Sequence, residues 1–203
     1  MQRNTIEVGT FEVNCSILSW EDGKVWIIDP GSEATRVAAL IVKAGLTPEA
    51  ILLTHAHFDH IGAIPGLQSK WPSLPVYVHP SDEMVLTHKL NNFPPDYPPI
   101  ESPSNIRDAR TLAGSRGVEV IETPGHTPGG VCYYFTEEKL LLSGDTLFAG
   151  SVGRTDLPGG DFATLKESLR KLTALPNDTK VIPGHGFYTT VGNEKDTNPF
   201  LMQ

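Results

Sequence analysis

The feature that most constrains this chain is that residues of metal-ligand type stand directly after short apolar runs, each predicted to be a buried strand. In a layered sheet the loops at one edge converge, so side chains at these strand ends are predicted to face one point. The runs and the residues they lead to are 51–53 followed by His55, His57, Asp59 and His60; 118–121 followed by His126; 139–142 followed by Asp145; and 181–182 followed by His185.

The segment after the first of these runs carries the densest chemistry. His55 and His57 are two apart on an extended loop, so they point the same way and can hold one ion. Asp59 and His60 begin the next turn and can reach a second ion. Imidazole nitrogen and carboxylate oxygen are good ligands for zinc and other first-row divalent ions. One more histidine for each ion and a carboxylate between them would complete two sites, and the chain supplies these residues.

Three other residues receive weaker assignments. His79 and His88 stand outside the strand-end motifs and are interpreted as surface or structural residues. Asp29 follows the predicted strand 25–28. It either orients a ligand histidine or simply forms the turn before Pro30.

The remaining pattern predicts a layered α/β fold, with two strand-rich halves that are each followed by helices, in a single domain over residues 1–203. Residues 91–105 contain five prolines and are predicted to be a loop, either a cover over a site or a plain connector. The further predicted strands are 25–28, 76–78 and 131–135, and the predicted helices are 32–45 with Ser32 as its cap, 61–70, 81–90, 161–172 and a short one from about residue 192.

Composition argues against two classes of partner, nucleic acid and membrane. The formal net charge is -8 and no Lys/Arg run is present, which argues against a nucleic-acid partner. No apolar run approaches the roughly 20 residues of a membrane helix, so no membrane partner is expected. The first residues do not resemble a signal peptide, and Cys15 and Cys132 belong to no paired motif. These features favour a cytoplasmic protein with reduced thiols, whose oligomeric state is left open.

Four motifs in the same order resemble the metallo-β-lactamase fold superfamily. They are Thr-His-Ala-His-Phe-Asp-His at 54–60, Pro-Gly-His-Thr-Pro-Gly-Gly at 124–130, Ser-Gly-Asp-Thr-Leu-Phe at 143–148 and Pro-Gly-His-Gly at 183–186. Within the superfamily, residues 150–156 and 189–200 look like the short bacterial form of the glyoxalase II (hydroxyacylglutathione hydrolase) group.

This resemblance implies an αββα sandwich with metals at one edge, without the C-terminal helical domain of full-length glyoxalase II. It also implies a division of the ligands between two divalent ions. Zinc is the default metal, and iron and manganese can occupy the same ligands. The implied first ion is held by His55, His57 and His126, the second by Asp59, His60 and His185, and both are bridged by Asp145.

The implied reaction is hydrolysis of a small glutathione thioester, such as S-lactoylglutathione, by a hydroxide that bridges the metals. Asp59 would orient the hydroxide, and Asp145 would hold both ions. A thiolate with a pKa of about 8.5 can leave without a strong general acid, whereas the amine of a β-lactam would need a proton. Arg154 lies where a basic residue of the longer enzymes contacts glutathione. The alternative role of the Arg154 side chain is a structural salt bridge with Asp156 or Asp161.

Four rival functions are weighed against this one. A persulfide dioxygenase would use one iron held by two histidines and one aspartate on the same fold. A lactonase or other esterase would use the same dinuclear site. A tRNA 3′-end nuclease would need a basic surface, which the net charge of -8 disfavours. A non-enzymatic binding module predicts a damaged ligand set, and this set is complete.

Overall fold

A computed structural model describes residues 1–88 and 100–202, which divide into two compact units. One unit is Met1–Ala109 and the other begins at Arg110. Each unit contains its own sheet and its own buried apolar cluster. The prediction that residues 1–203 form a single domain stays a prediction.

The first unit is built on a six-stranded sheet whose strands lie side by side in chain order. The pairs β1–β2 and β2–β3 are antiparallel, and the three pairs from β3 to β6 are parallel. Strand β3 is almost wholly buried, as expected for a parallel strand covered on both faces. The elements are β1 Gln2–Val8, β2 Val13–Ser19, β3 Lys24–Ile28, α1 Ala34–Lys43, β4 Thr47–Leu52, α2 Phe58–Ile61, α3 Ile64–Lys70, β5 Val76–Val78, α4 Pro80–Glu83 and β6 Ile106–Asp108.

The second unit contains a five-stranded sheet in the order β13-β12-β9-β8-β7, with β9 and β12 parallel. The chain continues after β9 into a two-stranded hairpin, β10–β11, that is not part of the five-stranded sheet. Helix α5 buries Leu165, Leu169 and Leu172 at helical spacing, which is the apolar stripe of an amphipathic helix. The elements are β7 Val118–Glu122, β8 Val131–Phe135, β9 Leu140–Gly144, β10 Leu147–Phe148, β11 Ser151–Val152, α5 Phe162–Thr173, β12 Lys180–Pro183, β13 Thr189–Thr190 and α6 Val191–Thr197.

The predicted strands are confirmed, but the predicted first residues of the helices in the first unit are wrong. Ser32 does not cap α1; Glu33 precedes the helix in a left-handed conformation (φ 57°) without a side-chain cap. The helix predicted over 61–70 is two helices, α2 and α3, and begins earlier. Of the helix predicted over 81–90, only the four-residue α4 is present within the described residues, and it begins earlier, at Pro80, because His79 caps it by accepting the Ser81 N–H. Residues 89 and 90 lie outside the described residues.

Helices α5 and α6 were predicted well, and Asp161 and Thr190 cap them through side-chain oxygens. Strands β1, β2 and β6 and the short strands β10, β11 and β13 were missed. Strand β1 is mostly exposed and polar, so no apolar run indicated it. Of the loop predicted over 91–105, residues 100–105 lie in no helix or strand, and residues 91–99 lie outside the described residues.

Candidate metal centre

Four of the predicted ligands lie together on the loop after β4 and in the start of α2. His55, Asp59 and His60 are buried, and His57 is partly exposed. Ligand atoms of His55 and His57 lie within 4.8 Å of each other, and so do those of Asp59 and His60. This unit therefore presents the two pairs that the sequence predicted.

Asp29 fixes the first residues of this loop. It is 2% exposed, and its Oδ1 accepts the Thr54 N–H at 2.8 Å. Its Oδ2 accepts the Thr54 hydroxyl at 2.7 Å and lies 3.1 Å from Nδ1 of His60. Of the two roles left open for Asp29, the structure supports the orientation of a ligand histidine.

These contacts decide which ring nitrogen each histidine can offer to an ion. Oδ2 of Asp29 lies 3.1 Å from Nδ1 of His60, and its negative charge favours the proton on that nitrogen and the lone pair on Nε2. The Thr54 hydroxyl donates to Asp29, so its oxygen can accept the Nδ1 proton of His55 at 3.1 Å. Both contacts favour the tautomer that a metal ligand needs, and the donor set fits a first-row divalent ion.

Two residues that the sequence did not single out support the same loop. Asp82, in α4, is completely buried, and its Oδ2 accepts the Ala56 N–H at 3.1 Å. Asp82 could have been found from the parallel pairing of β4 with β5, because this pairing brings the residues after β5 to the edge where the ligand loop begins. Gly31 is required because a Cβ there would lie 1.6 Å from the carbonyl oxygen of Asp59.

The second unit brings together the other three predicted ligands. Oδ2 of Asp145 lies 3.6 Å from Nε2 of His126 and 3.6 Å from Nε2 of His185. Asp145 and His185 follow the parallel strands β9 and β12, and the Gly184 N–H donates to the Gly144 carbonyl at 2.8 Å. The convergence of strand ends at one edge is thus observed within this unit, and one carboxylate oxygen is shared by two imidazoles.

Arg154 contributes through its main chain in a way that the sequence analysis missed. Its carbonyl oxygen lies 2.7 Å from Nδ1 of His126. A carbonyl can only accept, so Nδ1 carries the proton and, in the neutral ring, Nε2 carries the lone pair that a metal ligand needs. A main-chain acceptor has no signature in the residue type, which is why the sequence did not reveal it.

The side chain of Arg154 points to a different partner. It makes a two-point ion pair with Asp156, at 2.7 and 2.8 Å, and both side chains are exposed. The hydrogen bond from Arg154 lowers the pKa of Asp156 to about 2. Asp161 is engaged elsewhere, because it accepts the Thr164 N–H at the start of α5. The salt bridge left open in the sequence analysis is therefore the one with Asp156.

The two remaining histidines match their predicted status as structural or surface residues. His79 caps α4, and His88 is exposed. None of the helices within residues 1–88 and 100–202 is long and apolar enough to cross a membrane.

The comparisons with known proteins define the class. The family model of the metallo-beta-lactamase superfamily matches residues 8–185, and the chain belongs to that superfamily. The resemblance stated from the motifs is thereby confirmed, and so is the α/β fold class. The chain is a metallo-hydrolase of a superfamily that binds divalent metals.

Two curated relatives align over nearly the whole chain. "Probable metallo-hydrolase YqgX" of Bacillus subtilis (strain 168) is 41% identical over 208 residues, which is 99% of this chain and 98% of that protein. "Hydroxyacylglutathione hydrolase GloC" of Haemophilus influenzae (strain ATCC 51907 / DSM 11121 / KW20 / Rd) is 38% identical over 210 residues, again 99% and 98%.

Two solved structures have the same fold over their full length. The BLEG-1 B3 metallo-beta-lactamase superposes with a TM-score of 0.90 at 38% identity and covers 100% of both chains. TTHA1623 in a di-iron-bound form superposes with a TM-score of 0.84 at 42% identity, over 98% of this chain and 100% of that one. The names of these similar proteins include a hydroxyacylglutathione hydrolase and a metallo-beta-lactamase, so similarity alone leaves the substrate to be decided.

Proposed function

We propose that the protein hydrolyses a small glutathione-type thioester, such as S-lactoylglutathione, on a centre of two divalent ions. The observation that carries this proposal is the position of Asp145, one oxygen of which lies 3.6 Å from the Nε2 atoms of two different histidines. A carboxylate placed between two imidazole ligands is suited to bridging two ions. The similarity to the hydrolase GloC supports a thioester as the substrate.

The ligand assignment is part of the proposal. Each unit supplies a set of buried or partly buried donors, and three of the histidines have an oxygen beside Nδ1, which favours a lone pair on Nε2. Zinc stands first as the metal, and the di-iron form of TTHA1623 supports iron as the alternative. The first ion is assigned to His55, His57 and His126, the second to Asp59, His60 and His185, and the bridge to Asp145.

The chain's own residues then divide the work of the reaction. Bound ions would lower the pKa of coordinated water to about 7 and would polarise the thioester carbonyl. Asp59, 8% exposed, would orient the attacking water. Asp29 keeps His60 and Thr54 fixed, so the site is organised before substrate binds. The thiolate, with a pKa of about 8.5, leaves without a proton donor.

A substrate panel on protein with quantified metal tests the proposal. S-lactoylglutathione should be hydrolysed with a kcat/KM at least about tenfold above that for an acyl lactone, a reporter β-lactam or a simple ester. The same preparation should consume no oxygen with glutathione persulfide. His88→Ala is the matched control, because His88 is an exposed histidine outside the ligand set. One iron per chain with rapid oxygen uptake would refute the thioesterase proposal.

β-Lactam hydrolysis is the second candidate, because the BLEG-1 structure carries that name at 38% identity. Its leaving group is an amine, which must be protonated, whereas a thiolate need not be. The panel separates the two directly. Faster turnover of the β-lactam than of S-lactoylglutathione would replace the proposed substrate class without changing the proposed ligands.

A change at Arg154 tests whether its side chain binds the thiol half of the substrate. Arg154→Ala should raise KM for glutathione thioesters about tenfold and lower kcat by less than about twofold, since a lost binding contact acts on the ground state and the transition state alike. The main-chain carbonyl at position 154 remains, so the contact with His126 persists. Steady-state kinetics of the purified variant measure both constants.

Arg170→Ala is the control for that measurement, because Arg170 is likewise an exposed arginine paired with an acid, Glu167. It should leave both constants at their wild-type values. An unchanged KM in Arg154→Ala would mean that the side chain serves only the ion pair with Asp156.

A cytoplasmic location and a small-molecule partner complete the proposal. Cys15 and Cys132 are both buried and unbridged, which is the state expected in a reducing compartment. Burial raises the pKa of the Cys15 thiol far above its ordinary value, so this side chain behaves as a core residue.

A further inference from the structure

The second unit contains a fully buried carboxylate outside the proposed ligand set. Glu194, in α6, is 0% exposed. Its Oε2 accepts the Gly150 N–H at 2.8 Å, and its Oε1 accepts the Thr189 hydroxyl at 2.6 Å. The side-chain amides of Asn193 and Asn198 donate to the two oxygens at 3.0 and 2.8 Å. A single buried acid is thus held by four donors.

Asn198 extends this contact to the hairpin β10–β11. It is also 0% exposed, and its amide donates to the Ser151 carbonyl at 3.0 Å and lies 3.4 Å from the Phe148 carbonyl. Together with the bond from the Gly150 N–H to Glu194, these contacts bind the main chain of the hairpin turn at three residues, Phe148, Gly150 and Ser151. We call Glu194 and Asn198 the α6 clamp.

Both ends of the clamped hairpin meet proposed metal ligands. Strand β10 begins two residues after Asp145, and β11 ends two residues before Arg154. At Gly153 the returning chain passes so close to Asp145 that a Cβ would lie 1.8 Å from the Asp145 carbonyl oxygen. The next carbonyl, that of Arg154, accepts the Nδ1 proton of His126 at 2.7 Å. A shift of the hairpin would therefore move the acceptor that orients His126.

The chemistry of the clamp is unusual for a contact that only stabilises the fold. Burial by itself raises the pKa of Glu194, but the hydrogen bonds from Thr189, Gly150, Asn198 and Asn193 outweigh it and hold the pKa below its ordinary value. A buried charge is a costly way to gain stability, and an apolar side chain of similar volume often does as well. What the carboxylate adds is a set of directional bonds that fix the hairpin main chain in one register.

We propose that the α6 clamp is a positioning device for the metal centre, which fixes the β10–β11 hairpin so that the Arg154 carbonyl keeps His126, beside Asp145, in its ligand orientation. The inference rests on the proposed function only in taking His126 and Asp145 as metal ligands. It is independent of which substrate is hydrolysed.

Glu194→Gln is the sharpest test, because it preserves the shape of the side chain but replaces one acceptor oxygen with an NH₂ group. At the Oε2 position that group would face the N–H groups of Gly150 and Asn198, and at the Oε1 position it would face the amide of Asn193, where only the Thr189 hydroxyl could turn to accept. At least one of the four bonds is therefore lost. We expect the affinity for Zn²⁺, measured by competition with a chromophoric chelator, to fall about tenfold, the lower end of the effect of groups that orient a ligand. The absorption bands of the Co²⁺-loaded protein should shift as well, because the coordination of His126 changes.

Asn198→Ala provides a second variant, with the same direction of change and a smaller loss, should Glu194→Gln fail to fold. Asp196→Asn on the same helix is the matched control, since Asp196 is exposed and its replacement also removes one negative charge. Leu169→Ala, in the buried face of α5, serves as a control for lost stability. Neither control should change the Co²⁺ spectrum.

The outcomes separate the inference from the proposed function. Wild-type Zn²⁺ affinity and an unaltered Co²⁺ spectrum in both clamp variants would overturn the inference, as would an equal loss in Leu169→Ala. Zn²⁺ binding is measured without any thioester. A protein that shows the clamp effect but hydrolyses no thioester therefore refutes the proposed substrate and keeps the inference, whereas a wild-type chain that binds no Zn²⁺ overturns both.

Discussion

Asp145→Ala should lower kcat/KM for the thioester by on the order of a thousandfold, which corresponds to about 4 kcal/mol of transition-state stabilisation, and should reduce the bound metal. The reason is that one oxygen of Asp145 lies 3.6 Å from Nε2 of His126 and equally far from Nε2 of His185. Removing it would leave the two histidines without the shared carboxylate and would expose both proposed ions to loss. Elemental analysis and steady-state kinetics on the same preparation measure the two effects.

Two further variants make this result specific. Asp145→Asn keeps the volume and one oxygen but removes the charge, so it should retain more metal than Asp145→Ala while losing most of the activity. Asp178→Ala is the control, because Asp178 is an exposed aspartate of the same unit that pairs with Lys139. Full activity in Asp145→Ala would contradict the ligand assignment.

Asp29→Asn is expected to weaken metal binding by about 10–100-fold, although Asp29 is not itself a proposed ligand. Its carboxylate accepts from the Thr54 N–H and hydroxyl and lies 3.1 Å from Nδ1 of His60. An amide in the same place cannot accept on both sides, so at least one buried donor loses its partner. An unsatisfied buried donor costs about 1–3 kcal/mol, which should also lower the melting temperature.

Asparagine is the right replacement because Asp29 has a φ of 48°, a left-handed conformation that asparagine tolerates and alanine does not. The variant therefore isolates the lost acceptor from backbone strain. Asp22→Asn, at an exposed turn of the same unit, is the matched control. A zinc affinity within about twofold of wild type in Asp29→Asn would show that the Asp29 contact does not orient His60 for metal binding.

The parts of the molecule that could be predicted from sequence are those whose signal is local. The segment from His55 to His60 contains four residues of metal-ligand type within six positions, and the buried strand before it is a continuous apolar run. Strand β3 is likewise a continuous apolar run, and helix α5 buries apolar residues at helical spacing. The proposed ligand set could be written down because each proposed ligand lies within seven residues of the end of such a run.

The parts that were missed depend on contacts between residues distant in the chain. Asp82 reaches the Ala56 N–H across 26 residues, and nothing in the local pattern at the start of α4 separates it from an ordinary helix-start acid. Strand β1 was missed because its polar, mostly exposed residues carry no apolar signal, although it pairs with β2 over seven positions. Pairing partners and main-chain acceptors become visible only when the register of the chain is known.

Arg154 makes two separate contacts. Its peptide carbonyl, which every amino acid possesses, accepts from His126, whereas its guanidinium is exposed and pairs with Asp156. The residue at this position can therefore vary in charge and size without depriving the histidine of its acceptor. Under the proposed function, substitutions at position 154 should change the thioester preference and keep the acceptor for His126, and a library of variants at this position is a direct way to look for new preferences.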